Sequence, residues 1–219
     1  MIDTLFFDVY GTLISTGNGS VNAAAKILKT AGSDLDPAAF YQRWKMLHKE
    51  HMQGAFRCEE AIFVEDLSAL YEEFGIVRNA AEDIAPMLDS LYGRVAFPDA
   101  VDAWPHLLES YRVIIASNTD TEPLLANLAA NRLNAEQILT SESLRAYKPS
   151  PKFYEELLAR TGVKPQEAAF IGDSLEEDVL APQRMGMTGI WLNRKANGCI
   201  PNSGEYPDRI IVSLKELWL

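Results

Sequence analysis

A chain of 219 residues with 47% apolar content is long enough for one large core, or a core plus a lid. Its 20 Lys and Arg stand against 31 Asp and Glu, a net charge of −11 that argues against nucleic acid or an anionic membrane surface as partner. Cys58 and Cys199 offer neither metal-ligand spacing nor a disulfide framework, which fits a reducing cytoplasm, and neither a signal peptide nor an apolar run approaching ~18 residues is found.

Leu5 to Phe7 is a short apolar run that ends abruptly in Asp8 and is followed by Tyr10-Gly11-Thr12. A run of that length bounded by a turn reads as a buried strand, with its acid at the sheet's carboxyl edge, where open α/β sheets keep their ligands. Residues 14–20 have loop chemistry. From about Val21 to Leu91 the pattern is helical. One helix runs over Val21–Thr30 and stops near Gly32. A second opens at Asp36-Pro37 and carries Phe40, Trp44, Leu47 and His51 at helical spacing. A third spans about Glu59–Phe74, and a fourth about Asn79–Tyr92. No strand interrupts them, which predicts a small helical bundle of about 70 residues.

After Pro98 the pattern alternates. A helix over Val101–Glu109 precedes a second buried strand, Tyr111–Ala116, which ends in Ser117-Asn118. Thr121 to about Asn131 is helical, and Gln137–Thr140 is a short strand. The loop 141–150 carries Lys148-Pro149, and Ser150-Pro151 caps a helix that ends at Gly162. Ala168–Ile171 is a fourth strand, ending in Gly172-Asp173-Ser174. The helix after it must kink or restart at Pro182. Gly189–Leu192 and Asp208–Val212 are the last strands, and Ser213 caps a short final helix. Strands alternating with helices predict an α/β fold: a Rossmann-like parallel sheet core of residues 1–15 and 93–219, with an inserted all-helical cap domain of residues 16–92.

In a parallel sheet the strand ends share one edge, so Asp8 and Thr12, Ser117 and Asn118, Lys148, and Asp173 and Asp178 can converge. Each fragment is weak alone; the four in this order, with a helical insert after the first, form a specific signature. It resembles the haloacid dehalogenase superfamily of aspartate-nucleophile hydrolases over essentially the whole chain. The resemblance implies that Asp8 is the nucleophile and forms an ester that water then hydrolyses. It implies that Thr12 and Ser117 bind the substrate's anionic group, and that Lys148 holds Asp8 ionised. Asn118 belongs to the same motif.

Within the superfamily the motifs point two ways. Phosphatases carry a general acid two residues after the nucleophile, and here that position is Tyr10, as in the 2-haloacid dehalogenase branch. Trp44-Lys45 falls where that branch has Trp-Arg, Tyr147-Lys148-Pro149 and Tyr154 fit its third motif, and Asp178 aligns with its late Asp. Lys45 and Tyr154 are therefore candidates for substrate binding. Lys45 lacks the planar two-point fork of an Arg. Gly172-Asp173-Ser174 stands where the dehalogenase branch has neutral Ser-Ser-Asn. Two carboxylates about 4 Å apart repel by ~4 kcal/mol at an effective dielectric of 20, roughly three pKa units. Mg²⁺ would offset this, and by resemblance it would take Asp8, Asp173 and the backbone carbonyl of Tyr10.

Tyr10 is a poor acid for an alkoxide leaving group, so acyl phosphates, pyrophosphates, a phosphonate carbon or a halide suit the site better. The expected function is a Mg²⁺-assisted hydrolase of a small phosphorylated, anionic metabolite. The alternatives are a metal-free 2-haloacid dehalogenase and a non-catalytic binding relative. The expected setting is cytoplasmic, as a monomer or homodimer, with no nucleic acid and no membrane partner.

Overall fold

The computed structural model describes residues 1–195 and 204–217. Cys199 lies outside the described residues. Six strands form one parallel sheet: β1 (Thr4–Phe7), β2 (Arg112–Ser117), β3 (Gln137–Thr140), β4 (Ala168–Gly172), β5 (Thr188–Leu192) and β6 (Arg209–Ile211). Their order is β3-β2-β1-β4-β5-β6. β1 is central. Phe7 is in register with Ile115 of β2 on one side and Ile171 of β4 on the other. The order turns back between β1 and β4, and crevices for ligands open at such a point.

β1 is buried throughout because helices cover both faces of the sheet. Leu5 and Phe7 point into one apolar layer with Trp104, Val113 and Ile171. Phe6 points into the other with Ile114, Phe153, Tyr154 and Phe170. A strand buried on both faces reads as a continuous apolar run, which is why these strands were legible. Among the described residues no helix is long and apolar enough to cross a membrane.

The segment between β1 and the helix before β2 is helical as expected: α1 (Gly19–Thr30), α2 (Pro37–His51), α3 (Glu59–Glu73), α4 (Ala80–Asp83) and α5 (Ala85–Asp89). Its helices enclose an apolar cluster of their own, built on Ile27, Phe40, Trp44, Leu67, Leu70 and Met87. α2 starts as predicted, with Pro37 in its first turn and Asp36 accepting from the Ala39 N–H at 2.8 Å.

Four local readings change. The single helix expected over Asn79–Tyr92 is two, divided at Ile84, because Pro86 has no N–H to continue the ladder. α6 (Pro98–Ser110) begins three residues earlier than expected, with Pro98 in its first turn, and accommodates Pro105. α7 (Thr121–Asn131) matches. Loop 141–150 contains a short helix, α8 (Ser141–Leu144), nucleated by reciprocal capping between Thr140 and Ser143. α9 (Pro151–Thr161) ends at Gly162 in the left-handed region, but Ser150 makes no side-chain cap. After β4 the chain makes a π-helical turn over Leu175–Leu180 and restarts as α10 (Ala181–Arg184), placing Pro182 in a first turn. Ser213 Oγ accepts from the Lys215 N–H at 3.3 Å at the final turn.

Candidate active site

The ends of β1, β2 and β4 lie side by side, so the residues just beyond them meet. Asp8 follows β1 and is 6% exposed. Its Oδ1 accepts from Lys148 Nζ at 2.8 Å and from the Ser117 hydroxyl at 2.9 Å. Its Oδ2 has the longer contact, from the Thr12 hydroxyl at 3.3 Å. Thr12 also accepts from the Asp173 N–H at 3.1 Å and lies 3.4 Å from Asp173 Oδ1. A hydroxyl has one proton, so Thr12 serves either Asp8 or Asp173 at a given moment. Lys148 Nζ makes a second bond, to Asp178 Oδ1 at 2.6 Å, and Asp178 Oδ2 accepts from the Ser174 N–H at 3.0 Å.

Two glycines make this crowding feasible. Gly11 sits at φ +100°, and a Cβ there would lie 2.4 Å from Asp173 Oδ2. At Gly172 a Cβ would lie 2.2 Å from Asp178 Oδ2. Any side chain at either position would collide with one of the acids.

Asp8, Asp173 and Asp178 each offer an oxygen within 4.8 Å of the other two. Three carboxylates thus face one ammonium. Asp173 keeps one side open to solvent, yet desolvation of the other side, with Asp8 adding repulsion and Lys148 opposing it, pushes its carboxyl up to about 6. Burial pushes Asp178 well above the ordinary carboxylate range. Burial works against the charge of Lys148, but Asp178 and Asp8 outweigh it and hold the amine protonated. These are hard oxygen donors with excess negative charge, a set that fits a divalent cation such as Mg²⁺.

The remaining predicted residues divide. Asn118 brackets the backbone of Lys148. Its Oδ1 accepts from the Lys148 N–H at 2.8 Å, and its Nδ2 donates to the Lys148 carbonyl at 3.0 Å. Tyr10 is half-buried and accepts from Asn127 Nδ2 at 2.9 Å, with the Arg94 guanidinium 4.5 Å over its ring. Burial raises its phenol, making it a still weaker acid. Tyr154 is a buried core residue whose hydroxyl donates to the Glu177 carbonyl. Lys45 is not brought to the site; it is exposed on α2, 5.5 Å over the Tyr41 ring.

Three groups escaped the sequence reading. Glu177 lies 3.4 Å from Asn118 Nδ2, and burial raises its carboxyl while the charges of Lys148 and Lys49 lower it. Lys49, one helical turn beyond Lys45 on α2, is a lysine of that helix whose charge acts on Glu177; the i, i+4 spacing of the two was the available signal. Glu59, at the start of α3, bonds Thr119 and Asp120 just past Ser117-Asn118.

The acid cluster and the buried lysine sit at the switch point of a parallel α/β sheet, the edge where such folds bind their ligands. The chain belongs to the haloacid dehalogenase-like hydrolases, whose family profile matches residues 2–186. It is similar to (S)-2-haloacid dehalogenase 4A of Burkholderia cepacia, 26% identical across all of this chain and 95% of that protein. It is also similar to glyceraldehyde 3-phosphate phosphatase of Methanopyrus kandleri, 36% identical over 83 residues, 37% of this chain and 36% of that one. The fold matches the HAD-hydrolase YfnB from Bacillus subtilis, solved with magnesium bound, at a TM-score of 0.80 and 20% identity over 99% of this chain and 97% of that one. Its relatives thus include both a 2-haloacid dehalogenase and a phosphatase.

Proposed function

We propose that this hydrolase acts with Mg²⁺ on a small phosphorylated metabolite whose leaving group needs no proton, through an aspartyl phosphate on Asp8. The observation that carries this reading is Asp173: a third carboxylate beside Asp8 and Asp178, with its pKa pushed up to about 6 where a single lysine cannot neutralise the set. Asp8, Asp173 and the Tyr10 carbonyl would hold the ion, which supplies positive charge to the cluster and to the phosphoryl oxygens.

The chain's own residues account for the rest. Lys148 and Ser117 both bind Asp8 Oδ1, which fixes the carboxylate and leaves Oδ2, with only its 3.3 Å Thr12 contact, as the freer nucleophile. Oδ2 attacks phosphorus, the P–O bond to the leaving group breaks, and the leaving group departs with the electron pair. Water then hydrolyses the aspartyl phosphate and releases phosphate, regenerating Asp8. Tyr10, tied to Asn127 and raised by burial, does not protonate an alkoxide, which narrows the substrates to acyl phosphates, pyrophosphates and similar anhydrides. Residues 16–92 act as a cap over this edge and exclude water.

One feature favours a second reading. The same lack of an acid at Tyr10 suits halide departure, and the full-length similarity to a 2-haloacid dehalogenase agrees with it. The two readings separate cleanly. Phosphate release from acetyl phosphate that EDTA abolishes, and that Asp8→Asn lowers by ~10⁴-fold or more, is the expected result. Chloride release from (S)-2-chloropropionate that resists EDTA would replace the phosphatase by the dehalogenase.

A further inference from the structure

α3 and α7 both begin without a cap of their own. Cys58 precedes α3 and Asp120 precedes α7, and neither side chain bonds its own helix. The first N–H groups of a helix are orphaned unless something accepts from them. Asp120 supplies the missing cap of α3, while at α7 Glu142 Oε2 accepts from the Thr121 N–H at 2.7 Å and Glu59 holds the residue just before it. Asp120 Oδ2 accepts from the Glu59 N–H at 2.9 Å. Glu59 Oε2 accepts from the Asp120 N–H at 3.1 Å and from the Thr119 hydroxyl at 3.2 Å. Each carboxylate sits at the positive end of the other helix, where negative charge is favoured.

A second dock lies beside the first. The Arg57 N–H donates to the Tyr147 hydroxyl at 3.0 Å, and that hydroxyl donates to the Arg57 carbonyl at 2.5 Å. The rings of Phe56 and Tyr147 lie 5.3 Å apart, tilted by 36°. Both docks end on catalytic loops. Thr119 and Asp120 directly follow Ser117-Asn118, and Tyr147 directly precedes Lys148. Asn118 links the two loops through its paired bonds to the Lys148 backbone. Asp120 Oδ1 is buried without a hydrogen-bond partner, so the carboxylate is held where Glu59 needs it and not where its own satisfaction would be complete.

We propose that Glu59 and Asp120 form a reciprocal clasp, and that Glu59 is a positioning residue: docking of the cap through residues 56–59 sets the loop that carries Ser117 and Asn118. The inference rests on reading residues 16–92 as a cap over Asp8. Burial raises the carboxyls of Glu59 and Asp120, in keeping with a dry seam.

The test pairs amide exchange by NMR with turnover of acetyl phosphate, in wild type, Glu59→Ala, Glu59→Gln and Asp120→Ala. Glu59→Ala is expected to speed exchange of the Asp120 amide at least tenfold, and Asp120→Ala to do the same at the Glu59 amide. Glu59→Ala is expected to lower kcat at least tenfold with KM within threefold. Glu59→Gln, which keeps an acceptor oxygen, restores both. Unchanged exchange at the partner amide, or equal kcat losses in the Ala and Gln variants, would overturn the clasp. A wild type that leaves acetyl phosphate intact would overturn the phosphatase reading instead, and the reciprocal exchange would then decide the clasp alone.

Discussion

Two regions of this molecule bury carboxylates, and they do so in opposite ways. Asp66, in the helical segment, is fully buried. Its Oδ2 accepts from Trp44 Nε1 at 2.9 Å and faces His48 Nδ1 at 2.9 Å, while Oδ1 faces His51 Nδ1 at 2.6 Å. Three ring nitrogens surround one acid. At the strand ends the ratio is reversed, with three acids around one ammonium. A satisfied buried acid specifies packing: it joins Trp44, His48 and His51 of α2 to α3. An under-compensated cluster gains nothing for folding, and its excess charge is of use only to a ligand that brings positive charge.

Substitutions sharpen that contrast. Lys148→Met leaves Asp8 and Asp178 facing each other without their shared cation. Turnover should fall by about 10³-fold and stability by ~3 kcal/mol; activity within tenfold of wild type would show that Lys148 is dispensable. Asp66→Ala strands its donors in an apolar core. It should cost ~2 kcal/mol of stability while kcat stays within threefold. A collapse of kcat in a folded Asp66→Ala protein would erase the distinction between the two regions.

The smallest effect is a pH dependence. The folded carboxyl of Asp173 is raised from 3.8 to about 6, so the folded state holds its proton more tightly than the unfolded chain. Its contribution to stability is fully present below 3.8 and is lost as pH rises through about 6. The melting temperature of metal-free protein should therefore decline across that window less steeply in Asp173→Asn than in wild type. Identical slopes would deny the crowding.

Much of this was legible in the sequence for a definite reason. Strands buried on both faces, such as Leu5–Phe7, are continuous apolar runs, and the polar residues that end them are conspicuous. Asp8, Thr12, Ser117, Asn118 and Asp173 follow strand ends that topology brings together, and Lys148 and Asp178 reach the same edge from the loop after α8 and the turn after β4. What was hidden depends on side-chain direction or on contacts between distant residues. Trp44 is buried, but the next residue lies about 100° around a 3.6-residue helix, which carries Lys45 away from the site. Tyr154 repeats at core spacing and is core. The Glu59–Asp120 clasp joins residues 61 apart in sequence, and no local pattern announces it. Pro86 was visible, yet its division of one helix into two was not, because proline is tolerated in a first turn and breaks an interior one.

Calorimetric titration of the protein with MgCl₂ tests directly whether Asp8 and Asp173 share a cation. Saturable binding in wild type, weakened at least tenfold in folded Asp173→Asn, is the predicted result. Absence of binding in wild type, or the same affinity in both proteins, would contradict it.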